Sequence, residues 1–156
     1  MKKVDAEFLD LEVYAIYKAI TELFGDRGWD VVWRSGEIVF QELKKRLNIT
    51  ETEPIALLRR LGGYFEEVGY LKRMSIEALK EDEFLYDMYE VSIHEGIMKL
   101  RAEEANPVLA HFSTTVMFAA LKDMCNMTAE ITHLEVEGKG EEAYGREKWK
   151  LKKIEG

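Results

Sequence analysis

The sequence predicts an α+β fold, with helices packed on one face of a twisted, mainly antiparallel four-stranded sheet. Three features predict it. Four segments carry apolar residues three or four apart, the period of an amphipathic helix. Four shorter segments alternate, or are rich in aromatic and β-branched residues, as strands are. Their order is three helices, two strands, a connection, one helix and two strands, the arrangement of helices laid against an antiparallel sheet.

Residues 8–24 form the first helix, with Leu9, Val13, Ile16, Ile20 and Leu23 in step. Gly25-Asp-Arg-Gly28 then supplies a C-cap and turn. The second helix, 29–47, keeps Val32, Gly36, Phe40, Leu43 and Leu47 on one face. A glycine inside a helix costs about 1 kcal/mol against alanine, so Gly36 marks a close approach by a neighbouring helix or a ligand. Thr50-Glu-Thr-Glu-Pro54 reads as the start of a third helix, which buries Leu57, Leu58, Leu61, Phe65 and Val68 before Gly69 stops it. Residues 68–79, with Met74, Ile76 and Ala78 in one phase, pair with 84–93 across the charged turn Lys80-Glu-Asp-Glu83. Residues 94–105 show no clean period and are expected to be an irregular connection with one helical turn, placed as a lid. Asn106-Pro107 opens a long apolar helix, 108–125, in which Phe112, Val116, Ala120 and Met124 form a row beside Leu109, Met117, Leu121 and Cys125. A helix that apolar needs cover on more than one side. In 128–137, Ala129 and Ile131 share one phase and Leu134 and Val136 the other, which predicts a β-bulge around Thr132-His133. A glycine-punctuated turn, Gly138 to Gly145, leads to the last strand, 146–154, where Trp149 and Leu151 restore simple alternation.

Length and composition narrow the function. At 156 residues and 47% apolar, the chain fits one domain, 1–156, with a real core. No apolar run approaches the roughly 20 residues of a membrane span, and the basic N-terminus lacks the apolar stretch of a secretory signal, so a cytoplasmic protein is expected. One cysteine excludes an internal disulfide. A net charge of −8 argues against direct nucleic-acid binding. Neither a nucleotide-binding glycine fingerprint nor a nucleophile elbow is present, and the paired glutamates at 66–67, 103–104 and 141–142 suit solvated faces, so an enzyme is the less favoured reading.

Three pieces, in this order and spacing, resemble the 4-vinyl reductase domain family. They are Gly25-Asp-Arg-Gly-Trp-Asp-Val-Val-Trp-Arg-Ser-Gly36; Leu61-Gly-Gly with Phe65-Glu-Glu-Val-Gly69; and Pro107-Val-Leu-Ala-His-Phe-Ser-Thr114 followed by Ile131-Thr-His-Leu-Glu-Val-Glu-Gly-Lys-Gly140. The resemblance implies the nitric-oxide-signalling and Golgi-transport ligand-binding fold, shared with TRAPP small subunits and haem nitric-oxide-binding domains. It also implies an apolar pocket between helices and sheet for a small hydrocarbon or aromatic ligand, a homodimer through the N-terminal helices, and a sensory role. With no output domain attached, that role needs a separate output protein. Family members with a zinc site carry cysteines and a carboxylate where this sequence has Ala110, His133, Val136 and Tyr144. The usual zinc site is therefore not carried over, and no cofactor is expected.

Within that picture Trp33, Gly36, Phe40, His111, Phe112, Thr115 and Val116 are the candidate pocket residues, with His111 and Thr115 as polar groups one turn apart. Such a stripe is more often plain core, and the small residues Gly36, Ser113, Thr114 and Thr115 are what leave room for a ligand. His111 and His133 are weak candidate metal ligands, zinc being the metal they would take, but no short-spaced ligand pair accompanies them. Cys125, on the apolar side of its helix, reads as an inert small hydrophobe. The alternatives are a ligand-free homodimeric interaction module and a metal-binding variant of the family.

Overall fold

In the computed structural model, which describes residues 2–155, local chemistry sets the helix ends. The Asp5 carboxylate accepts the Glu7 N–H at 2.7 Å and starts α1 (Ala6–Phe24). A single 3₁₀ turn, Gly25–Arg27, leads into α2 (Gly28–Arg46). Glu53 accepts the N–H groups of Ile55 and Ala56, and Pro54 occupies the first position of α3 (Pro54–Glu67). The hairpin β1 (Arg73–Lys80) and β2 (Glu83–Tyr89) follows, then α4 (His94–Glu103), α5 (Phe112–Cys125), and the hairpin β3 (Met127–Glu137) and β4 (Tyr144–Lys153). All three strand pairings are antiparallel, in the order β1-β2-β4-β3.

The core lies between the helices and the inner face of this sheet. Phe84, Tyr86, Trp149 and Leu151 from the strands meet Phe40, Leu57, Leu58, Leu61, Phe65, Val116, Met117 and Leu121 from α2, α3 and α5. Each such side chain contributes roughly 1.5–3 kcal/mol on burial. The register of β3 against β4 shifts between Ile131 and His133, the bulge that the phase change predicts. It brings Leu134 and Val136 back to the side of Ala129 and Ile131.

Two segments differ from the sequence reading. Residues 94–103 are helical, not an irregular connection. Their inward positions are Ile93, Gly96, Ile97 and Leu100, a helical spacing that a glycine and the polar His94 disguise. The last helix begins at Phe112 and not at 108. Val108, Leu109 and Ala110 are all buried in a row, which an extended strap can achieve and one face of a surface helix cannot. The Val108 N–H is fixed by the Thr21 hydroxyl at 3.0 Å. In addition, β1 begins at Arg73, later than expected, because Gly69 (φ 79°) turns the chain and Tyr70 tucks against Phe65 and Phe112.

α1 is bound differently from the rest. None of its residues is buried. Polar ties hold it to α4: Asp10 accepts the Gly96 N–H at 3.1 Å, and Lys18 pairs with Glu103 at 2.8 Å. A Cβ on Gly96 would meet Asp10 Oδ1 at 2.6 Å, so only glycine allows this approach. Phe8, Leu11 and Leu23 on the helix, and Val4 just before it, are exposed apolar side chains. No helix is long and apolar enough to cross a membrane.

Candidate functional site

Along β4 the alternation Gly145, Glu147, Trp149, Leu151 points at the core, so Glu147 is a carboxylate on the inner face of the sheet, 1% exposed. Burying a charge there is costly unless hydrogen bonds replace its water. Three donors do so. The Thr114 hydroxyl and the Trp149 indole N–H each donate to Oε1 at 2.8 Å, and His111 Nδ1 lies 3.3 Å from Oε2. With Glu147 as acceptor, Nδ1 carries the proton, and the other ring nitrogen, Nε2, is left for an outside partner.

The first turn of α5 supplies the rest of a buried polar group. Ser113 Oγ accepts the Tyr86 hydroxyl at 2.9 Å, and the Ser113 N–H reaches the Tyr70 oxygen. Burial pushes both phenols above their ordinary range, which keeps them neutral donors. His111 caps the helix in the left-handed region, φ 40° and ψ 40°, and its carbonyl accepts the Thr115 N–H at 2.8 Å. A non-glycine residue held there carries backbone strain of the kind that gathers at functional sites.

Two spaces meet at this residue. A small cavity of about 40 Å³ is bounded by Tyr70, His94, Ile97, Phe112 and Glu147 among others. It has room for about two or three waters. His94 closes its far side, its Nε2 donating to the Gly138 carbonyl at 2.8 Å. Outside lies an open cleft of about 460 Å³ lined by Asp26, Trp29, Arg101, Pro107 and Ile131. Leu109, His111 and Leu134 border both spaces and form the wall between them. The Trp29 ring lies 5.7 Å from the imidazole.

The seven residues expected to share a pocket do not share one space. His111 and Phe112 border the inner cavity. Trp33 and Thr115 border a separate groove of about 540 Å³ between α2, α5 and β3, where Trp33 stacks on Phe118 at 5.6 Å. Phe40 and Val116 are fully buried core. Gly36 is pressed onto α5: a Cβ there would meet the Thr115 Cβ at 2.5 Å and its carbonyl carbon at 2.6 Å. Room at Gly36 is therefore taken by the helix, not left for a ligand, and the Thr115 hydroxyl is spent on the Phe112 carbonyl at 2.9 Å.

His133 sits exposed on β3 at 2.8 Å from Glu135, apart from the buried cluster. Among the described residues, no three His, Cys, Asp or Glu side chains converge as a metal site would need. Cys125 is half-buried, its thiol donates to the Thr52 carbonyl at 3.2 Å, and burial pushes that thiol up, away from the reactive thiolate. Glu147 is the site residue that sequence reasoning missed, and Thr114, read there only as a small residue leaving room, is a donor to it. The available signal was a glutamate in the core phase, two residues before Trp149 and two after Gly145.

No family model matches this sequence, and no curated protein matches it. Its fold does have solved counterparts. One chain, from work described as "Modulating Heme Redox Potential Through Protein-Induced Porphyrin Distortion", superposes with a TM-score of 0.55 at 10% identity. The match covers 97% of this chain and 78% of that one. At this identity the likeness is one of fold: the same α+β arrangement of helices on an antiparallel sheet.

Proposed function

We propose that this chain is a small-molecule-binding domain, regulatory or sensory in role, of the kind that the 4-vinyl reductase resemblance implies. Its ligand is apolar or aromatic and lies in the cleft closed by Trp29, Leu109, His111 and Leu134. One observation carries the reading: His111, backed by the buried Glu147 carboxyl, stands between a small inner cavity and an open cleft. A buried carboxyl–imidazole hydrogen bond is weak evidence for stability, because apolar replacements of buried polar pairs are often as stable or better. A strained, carboxylate-held imidazole at a cleft floor is better explained by recognition. The cleft's volume also falls within the roughly 300–1,000 Å³ of ligand sites.

Haem, named in the description of the structural counterpart, has no room in the inner cavity: about 40 Å³ is far below macrocycle size, and His94 Nε2 there is taken by the Gly138 carbonyl.

A second reading has its own observation. The exposed apolar residues Val4, Phe8, Leu11 and Leu23 are the kind of surface that a second copy covers, so the chain works as a homodimer, with output through a separate protein. One experiment separates the two readings. Native mass spectrometry of freshly purified protein, paired with a thermal-shift screen of apolar and aromatic compounds, is expected to give dimer mass with bound ligand. At a ligand concentration of 100 Kd the stabilisation is about 2.7 kcal/mol, or a rise of roughly 5–10 °C for a domain of this size. A bare dimer that no compound stabilises would leave the interaction module standing and remove the binding function.

A further inference from the structure

We infer that the ligand of the outer cleft is a monocarboxylic acid on an aromatic or alkyl body, an inference that rests on the binding reading above. Three features of the cleft point to this class. First, Arg101, in the last turn of α4, lines the cleft and has no ion-pair or hydrogen-bonding partner among the described residues. Lys18, across on α1, is by contrast matched by Glu103 and Glu104 at the end of α4. A guanidinium fork offers two parallel N–H groups in the geometry of a carboxylate.

Second, His111 presents a free nitrogen. Its Nδ1 is taken by Glu147, Nε2 has no hydrogen-bonding partner among the described residues, and the ring borders the cleft. Glu147 holds the opposite edge of the ring and so fixes the orientation of the imidazole at the cleft. Third, the other walls are apolar: Trp29, Pro107, Leu109, Ile131 and Leu134 offer a ring face and aliphatic surface for the ligand's body.

The cleft also limits charge. Asp26 lies on its wall, and the chain carries a net charge of −8, so a second carboxylate on the ligand would be repelled. The specificity is therefore for one anionic group on an apolar body.

Calorimetric titration of the full chain with 2-naphthoate, 2-naphthamide and naphthalene-2,6-dicarboxylate at neutral pH and low salt tests this. The naphthoate is expected to bind roughly tenfold or more tightly than the amide, the cost of one lost charge-assisted contact, and more tightly than the diacid. Arg101→Gln, a substitution at an exposed helix position, is expected to erase the preference for the acid over the amide with the melting temperature of the free chain unchanged. Arg101→Lys is expected to restore part of the preference. Equal affinity for acid and amide in the unaltered chain would overturn the carboxylate inference and leave apolar binding intact. Failure of all three compounds to bind would overturn both.

Discussion

The two halves of α5 use similar residues to opposite ends. From Thr115 onward the helix is tight on its inner side: Val116, Met117, Ala120 and Leu121 are fully buried, and Gly36 of α2 rests directly on Thr115, with the groove at Trp33 lying to the outside. At its other end His111, Ser113 and Thr114 enclose a carboxylate, and space remains on both sides of the cap. Small residues at a helix contact thus have two meanings. Facing another small residue, they let backbones close up. Facing a buried charge, they supply the hydroxyls that hold it.

The difference is sharpest in what each half tolerates. Glu147→Ala is expected to have the largest effect, a loss of about 3–5 kcal/mol, because it leaves the Trp149 indole, the Thr114 hydroxyl and His111 Nδ1 without their acceptor. Chemical denaturation measures it, and a loss below about 1 kcal/mol would mean that the pair is not the buried anchor described here. Gly36→Ala comes next, at about 1–3 kcal/mol, since the new methyl meets α5 backbone that cannot give way as a side chain could. If Gly36→Ala were neutral, the two halves would be equally loose. The smallest effect separates strain from contact at the cap. His111→Ala and His111→Gly both lose the imidazole, but glycine relieves the left-handed backbone, so it should be the more stable of the two by about 1 kcal/mol.

Much of the fold was legible because helix and strand periods are written in apolar residues. The stripe of α3, the caps at Glu53 and Pro54, and the bulge after Ile131 all follow from spacing. Two inward positions of α4 are a histidine and a glycine, which hydropathy counts as breaks, so the helix was hidden although Ile93, Ile97 and Leu100 keep its period. Val108-Leu109-Ala110 reads as helix or as a buried strap equally well, and only the tie to Thr21 decides between them. The site was half legible. His111 and Phe112 stood out as a polar and an aromatic group on an apolar segment, whereas Glu147 was lost among the alternating charges of β4. Its role depends on what lies across the sheet, which no local pattern records.

The slight attachment of α1 has an energetic consequence for the site. α4 supplies His94 and Ile97 to the cavity and Arg101 to the cleft, and among the helices its packing partner is α1. Since α1 buries none of its own side chains fully, its detachment costs less free energy than global unfolding, and α4 would loosen with it. On the proposed reading, a second copy covering the exposed apolar residues from Val4 to Leu23 would add to that detachment cost, and by linkage it would alter a cleft ligand's affinity by the same factor by which that ligand alters assembly. The outer helix would then set the opening free energy of a cleft it does not line.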